Sequence, residues 1–389
     1  MIDFDREIDR SGTFSVKHDL RQAMFGTSDV IPLWVADMDL PAPEAVTRAL
    51  ISRAQHPVYG YTLPSEGLFE ALIDWMGVRH HWKILRDWIL LCPGVVPSLH
   101  AAVLAFTQPG EGVIVQPPVY FPFFSAVTTT GRRLVQNPLV LDSGRYRMDL
   151  DHLEHCARQG ARLLLLCSPH NPVGRVWQEG ELHAVCEIAS RHGLIILSDE
   201  IHHDLIYSGI RHHPLNGLRD DAGYIVTAVA PSKTFNIPGL GLSALIVPDP
   251  ARRKALTEAL DLLHVNAANP FGLAAFEAAY REGKPWLEEL LLYLEGNRDF
   301  VMDFLRREIP PIHGITSEGT YLLWLDCRGL HLDDEGLKRF FVREARLGLN
   351  PGTVFGEGGS GFMRLNLGTS RRVLSVALEQ LRVAVEARG

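Results

Sequence analysis

Apolar positions fall into two rhythms along the chain. The stretches EAVTRALISRA (44–54), FEALIDWMGVRHHW (69–82), PSLHAAVLAF (97–106) and ELHAVCEIASRHG (181–193) repeat apolar residues every three or four positions, the period of a helix packed on one face. Between them lie short unbroken apolar runs at Trp88–Leu91, Val113–Val115, Arg162–Cys167, Leu194–Leu197 and Tyr224–Val229. These runs lack the in/out alternation of a half-solvated strand. Alternating with helices, they predict a mostly parallel sheet covered on both faces, an α/β architecture. Beyond residue 250 helices dominate, with NPFGLAAFEAAYREG (269–283) and WLEELLLYLEGNRDFVMDFLRRE (286–308). Short strands at Tyr321–Leu325 and Phe362–Leu367 and a last helix then predict a smaller α+β unit. The expected division is an N-terminal segment 1–45 lying on the small domain, a large α/β domain 46–285, and a small C-terminal α+β domain 286–389.

Composition narrows the functional classes. A chain of 389 residues exceeds what one core usually serves, in keeping with two domains. The net charge of −8 comes without a basic stripe, which argues against nucleic acid as a partner. Five cysteines (Cys92, Cys156, Cys167, Cys186 and Cys327) are scattered without Cys-x-x-Cys spacing, so neither a disulfide framework nor a zinc site is expected and a reducing cytoplasm fits. The start, MIDFDREIDRSG, is too charged for a signal peptide, and runs such as Leu163–Leu166 are too short for a bilayer. Gly239–Ala244 matches a dinucleotide fingerprint, but strand-like Leu245-Ile246-Val247 follows it where a helix is required. Gly356–Gly361 (GEGGSG) lacks the lysine of a phosphate-binding loop and reads as a flexible loop. The pairs His80-His81, His202-His203 and His212-His213 have no metal-ligand spacing and read as solvated or core residues.

The chemistry collects where the strands end. In open α/β sheets ligands bind outside the carboxyl ends of the strands. The runs are followed by CPGVVPS, by QPPVY with Tyr120, by SPHNPVG with Asn171, by SDEIHHD with Asp199 and His202, and by APSKT with Ser232 and Lys233. A glycine turn opening a helix, an aromatic, an amide, a carboxylate and an amine on one rim together suit pyridoxal 5′-phosphate. That cofactor needs a lysine for its imine, an acid for its ring nitrogen and free N–H groups for its phosphate.

SPHNPVG, SDE and SKTFNIPGL stand in an order and at distances that resemble the fold-type I, class I/II aminotransferase superfamily, over nearly the whole chain. IPLWVADMDLPAP, YGYT, SDEIHHDL, SKTFNIPGL and FMRLNLG are similar, more closely, to the MalY/PatB-type cystathionine β-lyases. The resemblance implies that Lys233 carries pyridoxal phosphate and later shuttles the substrate's Cα proton. It implies that Asp199 pairs with the pyridinium nitrogen, that Asn171 bonds the phenolic oxygen, and that Tyr120 stacks on the ring. Ser232 and the backbone of Val95 and Val96 would hold the phosphate, and Arg364 the substrate carboxylate. Tyr61 would reach the phosphate of a neighbouring subunit, which implies a homodimer. Asp37 and Met38 would line the site mouth, and His202 would lie near the ring.

Read without the resemblance, each residue keeps a plainer role. Asp199 could cap a helix, Asn171 could serve its turn, and Tyr59, Tyr61 and Tyr120 could be packing residues. Arg364 could be an exposed strand residue, Lys233 a turn lysine and His202 a core histidine. One departure matters. Class I aminotransferases resemble one another in a Gly-x-Arg after the lysine, whose arginine grips the phosphate, and PGLGLSAL has none. This agrees with the lyase group and leaves the source of positive charge open. The implied activity is α,β-elimination of L-cystathionine or a related L-cysteine thioether to thiol, pyruvate and ammonia. A class I/II aminotransferase and a binding or regulatory protein that retains the cofactor are the alternatives.

Overall fold

The computed structural model describes residues 2–219, 222–265 and 269–388. Its larger sheet has seven strands: β1 (Ile89–Cys92), β2 (Gly112–Val115), β3 (Arg133–Gln136), β4 (Ala161–Cys167), β5 (Ile195–Asp199), β6 (Ile225–Val229) and β7 (Ser243–Ile246). They lie side by side in the order β1-β7-β6-β5-β4-β2-β3. All neighbours are parallel except β7, which runs antiparallel to both β1 and β6. Successive residues of the central strands feed opposite cores. Leu164, Leu166 and Ile196 pack with Val185 and Ile188 on one side, and Leu163, Leu165 and Leu197 with Leu99 and Val103 on the other. Burial of both faces is why these strands read as unbroken apolar runs. The edge strand β3 is half exposed, with the polar ends Arg133 and Gln136, and gave no such run.

The helices begin where local chemistry allows. Ser65 accepts from the Leu68 N–H at the start of Glu66–His80, Gln178 and Glu181 form a capping box at Glu179–His192, and Ser370 caps Arg371–Glu386. The 25-residue helix Lys284–Glu308 leads to a second, four-stranded sheet. There β8 (His313–Gly314), β9 (Leu322–Asp326), β10 (Asn350–Pro351) and β11 (Phe362–Asn366) are antiparallel, with Trp324 opposite Arg364 and Arg364 opposite Asn350. The N-terminal segment reaches this part of the molecule, since Ile31–Pro32 pairs in parallel with Leu347–Gly348. Within GEGGSG, Gly356 is closely packed, since a Cβ there would lie 2.6 Å from Phe124, while Glu357, Gly358 and Ser360 are exposed. Among the described residues no helix is long and apolar enough to cross a membrane.

Candidate active site

Register brings the chemistry together. Cys167 stands beside Asp199, and Asp199 beside Ala228, at the carboxyl ends of β4, β5 and β6. One residue after β6, Pro231–Thr234 makes a single helical turn, with Pro231 at its first position, and this turn carries Ser232 and Lys233. Across from it, the helix Val95–Phe106 begins directly after Gly94. These ends enclose a cavity of about 200 Å³ lined by Tyr120, Asn171, Asp199, His202, Ser232 and Lys233, together with Val95 and Val96. Eight residues that the sequence singled out from separate segments therefore meet. Ala36, Cys167, Ile201 and Leu242 also line the wall and had no signature of their own.

The electrostatics fit pyridoxal phosphate. Burial pushes the Asp199 carboxyl up to about 7, against the Ile201 N–H 3.1 Å away and the Lys233 amine, which both favour the carboxylate. Among the described residues no other donor reaches that carboxylate, so a ring N–H would complete it. At the opposite end Val95 and Val96 line the cavity, their N–H groups have no acceptor among the described residues, and no side chain caps the helix. A first turn of free N–H groups at the positive end of a 12-residue helix is an anion cradle. Among the described residues no arginine lines the cavity, so an anion at this cradle would be met without one. The His202 ring is buried and its Nδ1 has no hydrogen-bond partner. Burial, with Lys233 and Arg364 nearby, holds that ring well below the usual imidazole range, hence neutral.

Lys233 Nζ donates to the Ala36 carbonyl at 2.6 Å, and burial lowers the amine to about 8. Arg364, 3% exposed, sits behind Asn171. Its guanidinium donates to Asn171 Oδ1 at 3.1 Å, and to the Trp34 carbonyl and Asn350 Oδ1 at 2.7 Å each, while Nε has no partner. Its positive charge meets no carboxylate within ion-pair distance among the described residues. The exposed-strand alternative for Arg364 is therefore set aside.

Two expected positions differ. Asp37 does not line the cavity. Its carboxylate takes a two-pronged ion pair from Arg10, at 3.0 and 2.7 Å, and Arg10 does not line the cavity either. Met38 is buried beneath Gly368 and does not open onto the cavity either. Tyr61 is fully exposed on this chain, beside a separate hollow of about 930 Å³ that it shares with Leu63, Leu90, Leu91, Leu260 and Leu273.

The sequence also missed a buried polar cluster behind the site. Asp204 accepts from His80 Nε2 at 2.8 Å, Trp75 Nε1 at 3.1 Å and Thr234 Oγ1 at 2.9 Å, and pairs with Arg79 at 2.9 Å. His212 pairs with Glu200 at 2.8 Å. Of the histidine pairs, His80, His202, His203 and His212 are thus core residues. Ligand atoms of His80, His203 and Asp204 lie within 4.8 Å of one another, with Arg79 already compensating the carboxylate. Burial alone would raise the Asp204 carboxyl, yet His203 and His80 hold it well below the usual range. Asp204→Asn should therefore lower stability at pH 7 by about 3 kcal/mol, measured by urea unfolding. A depressed carboxyl stabilises above its unfolded value and loses that contribution as pH falls through the folded one. The gap between variant and parent should thus narrow below about pH 4.

Comparison with known proteins follows the same lines. Residues 28–381 match the family model for aminotransferase class I and II. Cystathionine beta-lyase PatB of Bacillus subtilis (strain 168) is 43% identical over 386 residues, which are 99% of this chain and 100% of that protein. Protein MalY of Escherichia coli (strain K12) is 31% identical, covering 100% of both chains. The crystal structure of cystalysin from Treponema denticola, which contains a pyridoxal 5′-phosphate cofactor, superposes with a TM-score of 0.97 at 37% identity over 100% of each chain.

Proposed function

We propose that this chain, which belongs to the class I and II aminotransferase family, is a pyridoxal-phosphate-dependent carbon–sulfur β-lyase acting on L-cystathionine or a related L-cysteine thioether. The observation that carries the reading is the convergence of Lys233, Asp199 and Asn171 on one cavity, with the unpaired guanidinium of Arg364 behind it. When bound, the cofactor supplies an aldehyde for the substrate amine and a ring that takes up the electron pair left at Cα.

The chain does the rest. Lys233 would hold the cofactor covalently, Asp199 would accept its ring N–H, and Asn171 and Tyr120 would orient the ring. His202, neutral, would stand beside it. The Val95 and Val96 N–H groups and the Ser232 hydroxyl would receive the phosphate. Arg364 grips the α-carboxylate as a fork. Lys233, once free, takes the Cα proton as a neutral amine. The Cα–H and Cβ–S bonds then break, the thiol leaves, and water converts the three-carbon remainder to pyruvate and ammonia. Cys92, Cys156, Cys167 and Cys327 are free thiols, which supports a reducing compartment such as the cytoplasm.

The test is to supply L-cystathionine and assay pyruvate and free thiol. Transfer of the amino group to an added keto acid, without pyruvate, would instead mark an aminotransferase. A homodimer in which Tyr61 serves the partner's phosphate is supported by the exposure of Tyr61 and Leu63 on one hollow, directly after the exposed Val58 and Tyr59 in the chain. Mixing Tyr61→Ala with Lys233→Ala should then restore activity that neither variant has alone, because one site of each hybrid is intact. Absence of complementation in verified hybrids would remove the shared-site reading.

A further inference from the structure

The segment Trp34–Met38 crosses the site as a strap whose carbonyls are held by side chains. The Trp34 carbonyl accepts from Arg364 at 2.7 Å and the Val35 carbonyl from Asn366 at 2.6 Å. The Ala36 carbonyl accepts from Lys233 Nζ at 2.6 Å and from the Tyr321 hydroxyl at 2.8 Å. The Asp37 carbonyl accepts from Asn366 at 2.6 Å and the Met38 carbonyl from Asn236 at 2.9 Å. On the outer side, Arg10 forks onto Asp37 and also meets Asp39 at 2.7 Å, while the fully buried Lys17 pairs with Asp39 at 2.8 Å. The strap is thus gripped from inside by site residues and from outside by an ion-pair clamp.

We propose that the Ala36 carbonyl is the docking acceptor for the Lys233 amine whenever that amine is free, and that Arg10 and Asp37 are positioning residues that fix this acceptor for proton transfer at Cα. The inference rests on the reading of Lys233 as the base. A carbonyl oxygen has two lone pairs, and on Ala36 both are taken, one by Tyr321 and one by the amine. Tying one N–H of a flexible amine to a fixed acceptor restricts where its lone pair can point. Misplacement of a reacting atom by about 1 Å costs roughly a hundredfold in rate. Neither Arg10 nor Asp37 lines the cavity, so the clamp touches the site through the strap, and only the Asp37 charge reaches Lys233 across space.

The test uses the holoenzyme of Arg10→Met, Asp37→Asn and Arg10→Lys, with L-cystathionine and its Cα-deuterated form. In the first two variants kcat should fall about ten- to a hundredfold, KM should stay within about threefold, and the primary isotope effect on kcat should rise. Arg10→Lys keeps the charge without the fork and should recover part of the loss. A second arm acylates Lys233 competitively with acetic anhydride in the cofactor-free proteins and reads the labelled peptide by mass across pH. The Asp37 charge favours the ammonium form of Lys233. Freed from Arg10 it should move the labelling midpoint up in Arg10→Met, and its removal should move it down in Asp37→Asn. An unchanged kcat and isotope effect, or midpoints that move the same way in both variants, as general loosening would produce, would overturn the proposal. A parent protein that forms no pyruvate would defeat the lyase reading, while the labelling arm would still decide the placement of the amine.

Discussion

Lys233→Ala should lower pyruvate release from L-cystathionine by at least about 10⁴-fold, with the melting temperature of the cofactor-free protein little changed. Two functions leave with one amine: the covalent hold on the cofactor and the base at Cα. The fold does not depend on this side chain. Lys233 sits on a one-turn helix closed by its backbone, where the Phe235 N–H bonds the Pro231 carbonyl at 2.9 Å, and among the described residues its side chain bonds only Ala36. Tyr321 keeps that carbonyl satisfied after truncation. Methylamine, small enough for the cavity, should restore part of the activity, which separates loss of the base from collapse of the site. In the parent, borohydride should fix the cofactor to the peptide containing Lys233. Burial disfavours the ammonium form and sets the amine at about 8. Acylation of Lys233 in the cofactor-free protein should therefore rise with pH through a midpoint about 8, well below that of a solvated lysine. A Lys233→Ala protein that keeps more than about a hundredth of parental turnover without added amine would show that another group is the base.

What the sequence disclosed, and what it hid, follows from range. Asn171, Asp199 and Lys233 were legible because each follows an unbroken apolar run, and a buried parallel strand delivers its next residues to one rim. β7 was visible as the strand-like Leu245-Ile246-Val247, but its antiparallel direction depends on the turn at Gly241, whose φ of +52° sits against the Pro93 carbonyl. Asp37 was expected at the site mouth on the resemblance alone. Arg10, 27 residues earlier, neutralises it, and no local pattern announces such a pair. The role of Ala36 was invisible in principle, since its contribution is a backbone oxygen that any residue would supply. The Asp204 cluster joins Asp204 to His80, 124 positions earlier, through contacts that only the packed helices create.

Arg364→Met should raise KM for L-cystathionine and lower kcat/KM by about 10³-fold, while leaving stability equal to the parent's or above it. The two halves have one origin. A guanidinium buried to 3% exposure with only neutral partners is a charge waiting for an anion, and burial already lowers it to about 10. Without that anion it costs the fold, so an apolar side chain of similar length relieves the cost. With the substrate carboxylate present, the same replacement removes a charge-assisted fork. A structural arginine would behave in the opposite way, because losing its bonds to Asn171, Trp34 and Asn350 would lower the melting temperature and leave KM unmoved. A thioether amine lacking the carboxylate gives the decisive control. The parent should process it poorly, and Arg364→Met should process it no worse than the parent does. If the variant instead lost equally on both substrates, the fork would be acting through Asn171 and the cofactor's orientation, not through the carboxylate.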